Sequence, residues 1–148
     1  MAGSKRPRVE GAKGALTSGD IAWGSVFVGY GIAVLGTLLF GGLGLFVMDK
    51  GMWWVANWGL GFLLLGGLVA GFSAKTTEPL NGAFIAVFYF ATATLIIFIE
   101  EFLNILPDPL PGLPRGDSTF FFVWPLGQLV AATVGASLGG WFAVKRRR

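Results

Sequence analysis

The chain has no cysteine and no histidine among its 148 residues. The absence of cysteine excludes disulfides, thiolate nucleophiles and cysteine metal sites. The absence of histidine removes the commonest metal ligand, the usual haem ligand and the usual proton shuttle. The sequence also contains no glycine-rich phosphate loop and no hydrolase elbow. We therefore expect no enzymatic activity, no catalytic residue, no metal and no cofactor.

Charge is also scarce, since 13% of the residues are charged and 54% are hydrophobic. The few charges between residues 21 and 144 fall into three groups that separate four apolar runs. Each run is about 20 residues or longer, which as a helix crosses a hydrocarbon core of ~30 Å. We predict an all-α membrane protein with four transmembrane helices at 21–48, 53–72, 80–102 and 120–144. This transmembrane domain (20–144) would lie between a basic, disordered tail (1–19) and a short basic tail (145–148).

Lysine and arginine predict the orientation. The N-terminal tail has four, the C-terminal tail has four, and Lys75 in the middle loop lies on the same side. The total is 4 + 1 + 4 = 9, against two on the other side, Lys50 and Arg115. By the positive-inside rule both termini face the cytoplasm of a multi-pass protein in the cell membrane. The tails then need no nucleic acid as a partner, although contact with anionic headgroups is an alternative role.

The helix ends carry most of the tryptophans. Four are predicted at outer ends and two at inner ends: Trp53, Trp54, Trp58 and Trp124, then Trp23 and Trp141. This distribution is typical of an aromatic belt at headgroup level, and a tryptophan cage for a ligand is the alternative. Thr17, Ser18 and Asp20 offer an N-cap for the first helix.

Small residues form regular stripes on the second and fourth predicted helices. The members are Gly67 and Gly71, then Gly66, Ala70 and Ala74, on one helix, and Gly127, Ala131, Gly135 and Gly139, then Ala132, Ala136 and Gly140, on the other. Small residues four apart share a helix face and allow close backbone approach in lipid. We interpret the stripes as packing surfaces, and their number favours a homo-oligomer or a larger membrane complex.

The two helices with stripes also resemble each other. GGLVAGFSAK (66–75) aligns with ASLGGWFAVK (136–145) at a constant offset of 70. This alignment predicts two tandem helical hairpins.

The segment GGLVAGFSAKTTEPLNGAFIAVFYF (66–90) combines a small-residue helix end, a short basic loop and an Asn-Gly that opens the next helix. In this it resembles small four-helix integral membrane proteins of prokaryotes whose function is unknown. The resemblance covers the second and third helices best, and it implies the four-helix fold but no activity.

Two adjacent carboxylates, Glu100 and Glu101, close the third apolar run before a proline-rich loop. Glu100 lies ~30 Å along the helix from its start, so we place the pair at the outer interface. Successive helix residues point about 100° apart, which does not suit a paired acid and base. The pair is either solvated at the interface or, with Gln128, a cation or proton site. The amide of Gln128 needs a partner, which we expect on the second or third helix.

Two functions remain open from the sequence. The first is a structural or accessory role, in which the lipid-embedded bundle packs as an oligomer or as a subunit of a larger membrane complex. The alternative is a small oligomeric channel or transporter that uses the outer carboxylates, with an ion or small-molecule substrate that the sequence does not identify.

Overall fold

The structure is a computed structural model that describes residues 21–48, 50–75, 79–103 and 118–146. These ranges are helical and contain no strand. The helices are α1 (Trp23–Gly36), a π-helical segment (Thr37–Gly41), α2 (Gly42–Phe46), α3 (Met52–Ala74), α4 (Pro79–Leu103) and α5 (Ser118–Lys145). With α1, the π segment and α2 taken as one span, four helices are long and apolar enough to cross a membrane. The predicted all-α architecture with four spans is confirmed at that level.

The predicted bounds need correction at several ends. The first span begins at Trp23 with Ala22 as its N-cap, so its cap is not within residues 17–20. The same span ends at Phe46 and is interrupted by the π segment, whereas the sequence predicted one regular helix. The other three helices extend one to two residues beyond their predicted bounds. The N-terminal tail (1–19) and the proline-rich loop (104–117) lie outside the described residues.

The start of α1 has no local side-chain cap, and a hydrogen bond from a distant residue takes its place. No side chain of α1 caps its own first turn. Instead the backbone N–H of Ala22 donates to the Oδ1 atom of Asn81, at 3.1 Å, and Asn81 is fully buried. Because unpaired N–H groups at a helix start are costly in a low-dielectric environment, this bond fixes α4 against the beginning of α1.

The contacts define the direction of each helix in the bundle. Gly29 of α1 lies against Gly66 of α3, and Gly36, further along α1, lies against the earlier residue Phe62, so α1 and α3 are antiparallel. α3 and α5 are parallel, because Gly135 and Gly139 meet successively later turns of α3. α4 runs in the direction of α1, since its first turns contact the first turns of α1.

The interior of the bundle is mainly apolar. Its largest fully buried apolar side chains are Leu63, Ile85 and Val26, one each from α3, α4 and α1. Several buried alanines fill the rest: Ala33, Ala70, Ala86, Ala132, Ala136 and Ala143. Large apolar side chains cover the outside, as expected where the surrounding solvent is lipid.

Candidate functional site

α3 and α5 approach each other closely along several turns. A Cβ atom placed on Gly71 would overlap the carbonyl oxygen of Ala136, and one placed on Gly67 would overlap that of Ala132. From the other side, a Cβ on Gly139 would overlap the carbonyl oxygen of Leu68. The two helices therefore touch backbone to backbone, which only glycine at these positions permits.

The second stripe of α3 faces a different neighbour. Gly66 lies against the backbone of Gly29 in α1, and a Cβ on Gly29 would meet the Cβ of Ala70 at 3.0 Å. Ala70 is fully buried. α3 is thus the central helix of the bundle, with one small-residue face on α5 and the other on α1.

The remaining small residues of the predicted stripes are less tightly placed. Gly140 is buried, and its backbone nitrogen faces Gly71. Ala131 is partly buried against the core. A Cβ on Gly127 would meet only Leu60, at an ordinary 3.8 Å, so the tight part of the interface begins after Gly127.

Polar side chains instead join α1 to α4. The hydroxyl groups of Tyr30 and Thr92 are 2.7 Å apart. The hydroxyl of Tyr89 donates to the Oγ1 atom of Thr37 at 3.2 Å, and Thr37 donates in turn to the carbonyl oxygen of Ala33 at 2.7 Å. Both members of the Tyr89–Thr37 pair are buried. These bonds give the two tyrosine hydroxyl groups partners inside the bundle. The threonine hydroxyls also donate to carbonyl oxygens of their own helices, Thr37 to Ala33 and Thr92 to Phe88.

The Tyr89–Thr37 pair lies at the π segment. Thr37 is the first residue of that segment, and a Cβ on Gly59 of α3 would contact the Tyr89 hydroxyl at 2.6 Å. Near the other end of the segment, the indole nitrogen of Trp54 donates to the carbonyl oxygen of Phe40 at 3.1 Å. The irregular turn is therefore held by side chains from α3 and α4. Such π turns inside helices frequently mark functional positions.

Gln128 of α5 is the buried polar residue that these bonds do not explain. It is 8% exposed, and its Oε1 atom has no hydrogen-bond partner among the described residues. The partner that we expect for the Gln128 amide on α3 or α4 therefore stays a prediction. Gln128 lies one turn before Ala132, which contacts Gly67 of α3 and Gly82 of α4. The backbone of Gln128 is thus one turn from the place where α3, α4 and α5 meet.

The backbone of Glu100 and Glu101 is not close to that of Gln128. Glu100 and Glu101 lie in the last turn of α4, and their side chains are outside the described part of the structure. Gly82 of α4 contacts Ala132 of α5, so these two residues lie at the same level of the bundle. From that level Glu100 lies ~27 Å further along α4, whereas Gln128 lies only ~6 Å away along α5, in the same direction. The structure therefore separates the backbone of Gln128 from that of Glu100 by about 20 Å along the bundle. The backbone positions of the predicted candidate site therefore fall in two separate places, with Glu100 and Glu101 in one and Gln128 in the other.

Four of the tryptophans make ring contacts with one another in the first turns of α3 and α5. Trp53 and Trp124, at the starts of α3 and α5, make an edge contact with ring centroids 5.5 Å apart. Trp54 and Trp58 make another at 5.9 Å. At the other end of α5, Trp141 lies beneath the Nζ atom of Lys145, which is 4.8 Å from the ring centroid.

Comparison with family models, with curated proteins and with solved structures gave no match. The resemblance of residues 66–90 to small four-helix prokaryotic membrane proteins therefore stays a prediction.

Sequence reasoning missed Asn81 and the hydroxyl pairs. Asn81 was visible only as part of an Asn-Gly helix start, and nothing local indicates that it reaches Ala22, 59 residues away. For Tyr89 and Thr92 the available signal was weak: two polar residues three apart on one face of an apolar helix.

Proposed function

We propose that this protein has a structural or accessory role, in which the bundle packs laterally through α1 against a further copy of the chain or a subunit of a larger membrane complex. The observation that carries this proposal is a pair of outward-facing glycines, Gly24 and Gly31. A Cβ on either would meet nothing within 4 Å. They are two turns apart, so they share one face of α1.

The same face carries exposed aliphatic side chains between and after the glycines. Val28 is 53% exposed and Leu35 is 62% exposed. A glycine inside a helix costs ~1 kcal/mol relative to alanine, and within this bundle Gly24 and Gly31 have no packing role that offsets the cost. In lipid, such a face allows another helix to approach closely.

The glycines of α3 and α5 give no separate support for an oligomer. Gly67, Gly71 and Gly139 are occupied by contacts within one chain. The argument for an external partner therefore rests on α1 and not on the number of stripes in the sequence.

The test is the mass of the protein purified in mild detergent, with identification of whatever co-purifies. Gly31→Leu should reduce the assembly to the single chain while leaving its thermal unfolding unchanged. Gly61→Leu is the matched control, because Gly61 of α3 is equally open and lies outside this face. A wild-type protein that is already a lone monomer, or an assembly that tolerates Gly31→Leu, contradicts the proposal.

The cytoplasmic placement of both termini belongs to the same proposal, and the nine-to-two distribution of Lys and Arg supports it. Since the chain has no cysteine, a single cysteine at position 111 can be labelled without background. It should react with an impermeant reagent from outside the cell. Labelling only from the cytoplasmic face contradicts this orientation.

A channel or transporter is the second candidate, and the Oε1 atom of Gln128, which lacks a partner in the part of the chain that the structure describes, favours it. A buried carbonyl oxygen without a donor could bind a cation or water on a path through an oligomer. Ion flux into liposomes is the measurement. Transport that falls in Gln128→Leu, Glu100→Gln or Glu101→Gln would support this candidate. Absence of flux in the wild type would leave the structural role.

A further inference from the structure

A groove lies where α3 and α5 reach the side of the chain termini. Its lining residues are Phe72 of α3 and Phe142, Lys145 and Arg146 from the end of α5, and its volume is about 430 Å³. Both phenylalanines are exposed, at 42% and 49%. The groove thus has an apolar wall on each side and cations at one end.

The backbone packing of the two helices produces this shape. A Cβ on Gly139 would lie against the backbone of Leu68 and Phe72, so α3 and α5 touch at the level of the groove floor. With no side chain to separate the helices there, the aromatic rings of Phe72 and Phe142 stand outward on either side of a shallow channel. The tight interface and the groove therefore have the same cause.

Both charged residues that line the groove, Lys145 and Arg146, are basic. From residue 118 to the end, the chain contains no acidic residue and four basic ones, Lys145 to Arg148. The Lys145 ammonium lies over the Trp141 ring at 4.8 Å, which holds it near headgroup level. The ends of α3 and α5 contribute only about half a negative charge each, so the full charges of Lys145 and Arg146 dominate.

We infer that this groove binds one anionic phospholipid of the adjacent leaflet. The phosphate of the headgroup would contact Lys145 and Arg146, and the first part of an acyl chain would lie between Phe72 and Phe142. A groove with cations at headgroup level and apolar walls below matches the order of the parts of a phospholipid. This inference is independent of the proposed contact through α1.

The full chain, purified in detergent, is titrated with phosphatidylglycerol and with phosphatidylcholine of the same acyl chains, and bound lipid is counted by native mass spectrometry. Each cation near the surface contributes about fivefold in affinity. The anionic lipid should therefore bind about 25-fold more tightly than the zwitterionic one. Lys145→Gln/Arg146→Gln should abolish the difference, and Phe72→Ala should weaken both lipids.

Lys75→Gln is the matched control, since Lys75 ends α3 on the same side but does not line the groove. Its effect should stay below about twofold, whereas a diffuse attraction to basic residues would make it equal to that of Lys145→Gln. If the double variant does not fold, Arg146→Gln alone, at an exposed turn, keeps the test valid. Equal binding of both lipids by the wild type, an equal effect of Lys75→Gln, unchanged binding in Phe72→Ala, or displacement of the lipid by millimolar inorganic phosphate would overturn the inference.

Discussion

The α3–α5 and α1–α4 interfaces join parallel helices by different means. Between α3 and α5, glycines bring the two backbones into direct contact. Between α1 and α4, large rings fill the space: Trp23 lies 5.2 Å from Phe84, and Phe27 stacks on Phe88 at 5.9 Å, centroid to centroid. The hydroxyl bonds of Tyr30 and Tyr89 complete the second interface.

The difference shows two solutions to the same problem. Helices in lipid gain nothing from the hydrophobic effect when they associate, so they need dispersion contacts or hydrogen bonds. α3 and α5 make dispersion contacts between their backbones, because the glycines have no side chains to hold them apart. α1 and α4 make dispersion contacts through aromatic rings, and their hydroxyl groups form hydrogen-bonded pairs. Adding a side chain to the glycine interface should therefore lower the stability of the protein strongly. The stability of the α1–α4 interface should instead depend mainly on its hydrogen bonds.

The largest effect should come from adding a side chain between α3 and α5. Gly139→Leu should lower the free energy of unfolding by about 3 kcal/mol, because the backbone of α3 at Leu68 and Phe72 cannot yield without displacing the whole helix. Unfolding in mixed micelles provides the measurement. Gly61→Leu, on an open face of the same bundle, should be close to neutral. Equal stability of the two variants would show that α3 and α5 are not in backbone contact.

The spans and the existence of packing faces were predictable from the sequence, but the partners were not. Hydrophobicity summed over about 20 residues is a strong signal, and small residues four apart mark a face whatever it meets. Whether Gly66 faces α1 or α5 depends on the rotation of α3 in the bundle, which no local pattern encodes. For the same reason the sequence joined Gln128 to Glu100, although the structure places them on distant turns.

The π segment was not predictable either. Sharp irregularities in helices usually occur at proline, and Thr37–Gly41 contains none. Its position depends on contacts from elsewhere in the chain, namely the Tyr89 hydroxyl and the Trp54 indole. A helix with the same sequence outside this bundle would have no such reason to widen its turn.

The second largest effect is expected at the buried Tyr89–Thr37 pair, where the two single substitutions should cost different amounts of stability. Thr37→Val leaves the Tyr89 hydroxyl buried without its acceptor, which costs about 2 kcal/mol. Tyr89→Phe should cost about 0.5 kcal/mol, because Thr37 keeps its bond to the Ala33 carbonyl oxygen. Both variants would be measured by the same unfolding assay, with the double variant to complete the cycle. Equal losses would show that the Tyr89–Thr37 bond is not the one that satisfies the tyrosine.

The smallest expected effect is an increase in stability, from a substitution of Gln128 next to the glycine interface. Its Oε1 atom is buried and has no partner within the described ranges, so Gln128→Met, which keeps the length of the side chain, should raise the free energy of unfolding by about 1 kcal/mol. Gln128→Glu is the control, since a second oxygen in the same place should lower stability. A loss in Gln128→Met would mean that water, an ion or a second chain pairs with the amide in the membrane. Water or an ion as that partner would move the balance from the structural role toward transport, because either needs an access path into the bundle, whereas a second chain as that partner would support the proposed oligomer.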